Sequence, residues 1–145
     1  MKAIERLNET IGKINEINES ELSISEVDLL KFLKNQMMKS KNLFEAFSRS
    51  IDQKDWDNVL SYTFQILQRS NSIFGYLTQP TVLSLVSKSR LAGVIDNISD
   101  TLAFSVSEMI VVLKQNNKVL NIDSITINIS SNPPSLSVSL VIKGG

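Results

Sequence analysis

The sequence predicts a mainly α protein of four to five helices packed as a bundle, closed by a C-terminal β-hairpin, α+β by strict count. Three observations predict it. Apolar residues recur at helical spacing through most of the chain. The period then changes once, near residue 116, to strict alternation. The composition is that of a folded globular chain, with 145 residues, 42% hydrophobic and 21% charged. No internal repeat or domain-splitting linker interrupts it. The reading is therefore one domain, 1–145, with 1–118 as the helical bundle and 119–145 as a hairpin appendage. A domain of this length buries roughly 68–70% of its unfolded surface and needs no disulfide or metal staple.

The first helix is expected from about Lys2 to Asn18. Ile4, Leu7, Ile11 and Ile14 fall at 3-4-3 spacing, a seam barely two heptads long in otherwise polar surroundings. So narrow a stripe predicts either the outermost helix of the bundle or a seam for another chain. Gly12 costs it roughly 1 kcal/mol relative to Ala.

Ser23 with Glu26, or Ser25 with Asp28, starts the second helix as a capping-box arrangement. From Val27 to about Ser50, Leu29, Leu30, Phe32, Leu33, Met37, Leu43, Phe44, Phe47 and Ile51 share a broad face. Lys31, Lys34, Lys41 and Arg49 lie opposite, within about 80° of one another on the helical wheel. A turn at Asp52-Gln53-Lys54 leads to a third helix from Trp56 to about Arg69, with Asp52 or Asp55 as its cap. Ser70-Asn71-Ser72 breaks or softens that helix, since Ile73, Phe74 and Leu77 continue the pattern up to Pro80.

Residues 81–89 fit a short helix or the first turns of the next one. From Arg90 to about Gln115, Leu91, Val94, Ile95, Ile98, Leu102, Val106, Met109 and Leu113 hold one stripe. Phe104 and Val111 form a second, smaller stripe on the back, so this helix is expected at the centre of the bundle or against a second chain. After the stop at Asn116-Asn117-Lys118, Ile125, Ile127 and Ile129 alternate with polar residues. Leu136, Val138, Leu140 and Ile142 do the same beyond the Ser131–Ser135 loop with its two prolines.

The residue inventory excludes whole chemistries. The chain contains no cysteine and no histidine. Cysteine–histidine zinc sites, iron–sulfur clusters, dithiol redox centres and imidazole-based triads are therefore excluded. No enzyme activity, catalytic residue, metal site or cofactor is expected. Asp52, Asp55 and Asp57 read as helix caps and first-turn acids, because their loop lacks the glycine and distal glutamate of a calcium loop. Asp96 and Asp100 read as a solvated face. Ser61, Tyr62 and Lys88 do not assemble into a nucleophile and base from spacing alone, and Gly144-Gly145 reads as a frayed end.

Fifteen Lys plus Arg balance fifteen Asp plus Glu. The balance is uneven, with seven acids and three bases in residues 1–30 and eleven bases and seven acids in 31–118. The basic face of Lys31, Lys34, Lys41 and Arg49, extended in space by Lys39, Arg69, Lys88 and Arg90, is the candidate contact for nucleic-acid phosphates or an acidic partner surface. Aromatics to stack bases are lacking on it. Ile4, Leu7, Ile11, Ile14, Phe104 and Val111 are the candidate oligomer-interface residues. The hairpin offers strand edges guarded by little charge. The expected protein is an intracellular, cytoplasmic assembly or adaptor subunit, a homo-oligomer or part of a larger complex, with no membrane partner. Contact with nucleic acid through the basic helix is the alternative. An N-terminus with charges where a signal peptide has its apolar core, and the lack of 18 consecutive apolar residues, underlie the localisation.

Overall fold

Five helices and two strands follow one another in the order that the period change implies. The computed structural model describes residues 1–87, 90–131 and 134–143. The helices are α1 (Lys2–Asn15), α2 (Ile24–Asp52), α3 (Trp56–Leu77), α4 (Pro80–Val86) and α5 (Ala92–Gln115). The strands β1 (Ile122–Ser131) and β2 (Pro134–Ile142) pair antiparallel as a two-stranded sheet.

Local chemistry explains the boundaries. Helix α1 stops at Asn15, three residues short of the expected end, and Asn18 instead caps a single 3-10 turn, Glu19–Glu21, by accepting from the Ser20 amide. The Ser23/Glu26 pair is the capping box that starts α2: the Glu26 amide donates to Ser23 Oγ at 3.2 Å, and the Ser23 amide donates to Glu26 Oε1 at 3.1 Å. Lys54 takes the left-handed conformation in the turn to α3 (φ 55°), whose cap is Asp55. Ser70-Asn71-Ser72 does not break α3. Ser70 is buried against the core, and the Ser72 hydroxyl donates back to the Gln68 carbonyl of its own helix at 3.0 Å, a bond compatible with the continuing helix. Helix α4 is separate and short, with Pro80 in its first turn, where a missing N–H is tolerated. Lys88, Ser89, Asn132, Pro133, Gly144 and Gly145 lie outside the described residues.

The buried apolar side chains form one cluster drawn from all five helices and both strands. Helix α5 lies at its centre, packed by α1, α3 and β1. Its Ile98, Leu102, Val106, Met109 and Leu113 have no accessible surface. Helix α2 packs on α1 along one flank and on α3 along the other, and the hairpin rests β1 on α5 and β2 on α3.

Of the two alternatives for α1, an outermost helix or a seam for another chain, the structure corrects the second: the helix packs one face on α5 and α2 of its own chain. Leu7 is fully buried and Ile14 2% exposed, covered by the chain's own α5 and α2. The stripe is wider than its apolar residues suggest, because Ala3 and Thr10 are buried with it. Thr10 Oγ1 lies 2.7 Å from Thr101 Oγ1 of α5, a hydrogen bond across the interface. Two other buried hydroxyls are satisfied within their own helices, Thr63 donating to the Val59 carbonyl and Ser105 to that of Thr101, both at 2.7 Å, whereas Ser99 Oγ of α5 is buried with no hydrogen-bond partner. A satisfied hydroxyl costs little to bury, and its small volume lets backbones approach.

Two core positions measure this packing. Phe47 and Leu102 have no exposed surface, so Phe47→Ala and Leu102→Ala should each lower the unfolding free energy by about 2–5 kcal/mol, read from denaturant midpoints. Midpoints unchanged from wild type would contradict the assigned helix faces.

Candidate functional site

Three surfaces emerge once the core is filled. The first is the α2 face that carries Lys31, Lys34, Lys41 and Arg49. Lys31, Lys34 and Arg49 are exposed. Lys41 is not free, since its Nζ lies 3.6 Å from Glu45 Oε1 one turn on, an acid inside the basic stripe. Glu19 borders the depression into which Lys31 and Lys34 project. The face is thus three open cations with acids at its margin.

The cations expected to extend this face do not do so. Arg90 pairs with Glu21, tying the start of α5 to the acidic turn after α1. Lys88 lies outside the described residues. Lys39 and Arg69 sit on the other flank of α2, where that helix meets α3. They border a groove of about 510 Å³ together with Asn42, Leu43, Gln65 and Tyr62. Arg69 Nη1 donates to Gln36 Oε1 at 2.7 Å, which levels this end of α3 with the Gln36–Lys39 turn of α2. No wheel drawn for α2 alone could have found the pairing, because it depends on the register of a neighbouring helix.

The second surface is the outer stripe of α5. Val111 is 52% exposed, whereas Phe104 is half-buried under the Arg6 guanidinium of α1, 4.6 Å above its ring. The stripe is flanked by Glu108, whose Oε1 accepts from the Ala3 amide at 3.3 Å. Of the six candidate interface residues, Leu7, Ile11 and Ile14 therefore belong to the chain's own core. Ile4 packs partly against it, Phe104 is shared with α1, and Val111 alone is open.

The third surface is the hairpin. Its apolar face lies on α3 and α5, with Ile122 and Leu136 buried and Ile125, Ile127, Val138 and Leu140 half-buried. Near the turn, Ile129 of β1 is 41% exposed while its cross-strand partner Leu136 is buried. The other face carries Thr126, Asn128, Ser137 and Ser139, all exposed and neutral. Register runs unbroken from Ser124↔Val141 to Ser131↔Pro134, with one bulge at Asp123 near the base. The sheet has only these two strands among the described residues, so each strand has one edge without a strand partner. Asp123 is the sole charged residue in either strand. Val119, Val141 and Ile142 add exposed apolar surface at the hairpin base, and Phe64 of α3 is 50% exposed. The sequence signal for Phe64 was its position off the apolar stripe of its helix.

Among the described residues no helix is long and apolar enough to cross a membrane, and no group of three or more carboxylates gathers as a metal site. Asp55 is spent as the α3 cap, accepting from the Asn58 amide and from Asn58 Nδ2. No protein-family model, curated protein sequence or solved structure matches the chain.

The division between core and surface is measurable. Leu7→Ala should cost about 2–5 kcal/mol, whereas Val111→Ser should stay within about 0.5 kcal/mol of wild type in thermal melts. The reverse order would return the α1 seam to the surface.

Proposed function

We propose that the protein is a non-enzymatic assembly subunit that works through protein–protein contacts, by lending a strand edge of its C-terminal hairpin to another polypeptide. A second copy of the chain is the simplest partner, since most soluble oligomers are homomeric and two-fold. One observation carries the reading: two strands of ten and nine residues present unpaired edges with a single charge between them. Edge strands are ordinarily blunted by lysine, proline, bulges or a cover. Here the Asp123 bulge guards only the base of the ladder. The helices cover a face of the sheet and leave the edges to a partner. Antiparallel pairing of like edges across a two-fold axis would make a four-stranded sheet and satisfy those backbone groups.

Sedimentation velocity at micromolar concentration tests the proposal. Wild type should sediment as a dimer or larger species, and the double variant Ser137→Lys/Ser139→Lys should shift toward monomer without loss of helical circular dichroism. A strictly monomeric wild type would end the self-association reading.

A second reading rests on a separate observation, the three cations Lys31, Lys34 and Arg49, exposed along one face of α2 and outside every ion pair among the described residues. Such a row could follow a nucleic-acid backbone in a nucleoprotein complex. On this reading the protein is retained on DNA or RNA at ~50 mM salt. Lys31→Glu, Lys34→Glu and Arg49→Glu should each weaken binding regardless of base sequence and flatten the salt dependence. Lys41→Glu should matter less, because Glu45 already neutralises that lysine. Absence of retention would remove the reading.

A further inference from the structure

The groove between α2 and α3 has a polarity along its length. Arg69 and Lys39 mark one end, as the Arg69–Gln36 hydrogen bond places them at the same level. Because α3 returns antiparallel to α2, Ala46 and Tyr62 mark the other. The amides of Asn42, Gln65 and Gln68 lie between them. Lys39 to Ala46 spans about 10 Å of helix axis. No acid lines the groove.

Arg69 is the unusual member. It is largely covered, and it joins no ion pair among the described residues. One of its donors is used on Gln36, while its Nε is buried with no hydrogen-bond partner. A half-buried guanidinium with no counter-charge is costly, and a native structure that keeps one invites a reason. An anion in the groove supplies it. Two cations at one end match the −1.5 to −2 charge of a phosphate monoester (roughly, near neutral pH) better than the single charge of a carboxylate. The half-buried Tyr62 ring with Leu43 and Ala46 offers a planar, apolar seat for a ring at the far end, and the amides between them suit a polar linker.

We infer that this groove is a binding site for a small phosphate monoester that also carries an aromatic ring on a polar linker, of the mononucleotide class, with the phosphate on Arg69 and Lys39 and the ring on Tyr62. The site is separate from the hairpin edge and from the α2 cation row, so neither earlier reading depends on it.

Titration calorimetry and amide chemical-shift mapping, with adenosine 5′-monophosphate, phenyl phosphate, adenosine and inorganic phosphate as probes, test it. Adenosine 5′-monophosphate should bind saturably and shift amides within 36–46 and 62–72, while phenyl phosphate, which is too short to reach both ends, adenosine and inorganic phosphate should each bind at least about tenfold more weakly. Arg69→Gln and Lys39→Gln should each weaken adenosine 5′-monophosphate by about tenfold or more. Tyr62→Ala should weaken it while leaving inorganic phosphate unchanged. Lys39 is exposed, so its variant should fold even where Arg69→Gln does not. Absence of saturable binding by adenosine 5′-monophosphate at millimolar concentration, or binding indifferent to Lys39→Gln, would overturn the inference.

Discussion

Burial of α5 is the constraint on which the remaining packing depends. It is packed by α1, α3 and β1, and α1 meets it through the Thr10–Thr101 hydrogen bond. Small hydroxyl residues at that contact do two things together. They shorten the approach of α1, and the Thr10–Thr101 bond supplies direction that apolar packing lacks. A two-stranded hairpin is marginal alone in water. It persists here because Ile122 and Leu136 enter the same cluster. Loosening α5 would thus release both ends of the chain, α1 and the hairpin, at once.

The position of α2 between α1 and α3 sorts its cations. Those on the α1 flank form an open row bordered by Glu19 and interrupted by Glu45. Lys39, on the α3 flank, joins Arg69 over a groove with polar walls. Two electrostatically distinct surfaces therefore arise from one amphipathic helix. The acidic region after α1 is also partly consumed within the fold, since Glu21 holds Arg90. The zero net charge of the chain describes neither surface.

The hairpin has a different character. Its outward face is hydroxyl- and amide-rich, its edges carry almost no charge, and its apolar face is only partly covered, with Ile129 exposed. Water can satisfy isolated edge groups, but a second strand does so in register along the whole ladder. This contrast between a filled helical core and sheet edges with little charge is what the proposed contact role rests on.

Periodicity along the chain was enough for the long helices, the late switch to strands and the core positions Phe47 and Leu102, because each depends on neighbours within a turn or two, whereas the choice of Ser23 over Ser25 as cap and the separateness of α4 came from the structure. The burial of α1 was not legible. Binary patterning counts Thr10 as surface, and Thr101 becomes its partner only when two helices 91 residues apart in sequence are brought together. The continuation of α3 through Ser70-Asn71-Ser72 was hidden for the same reason, as a serine breaks or extends a helix according to what covers it. The basic residues of α2 could be placed on a wheel. Their division into an open row and a groove wall follows from the neighbours that flank the helix, since burial and ion pairing belong to pairs of elements and are absent from the pattern of either one.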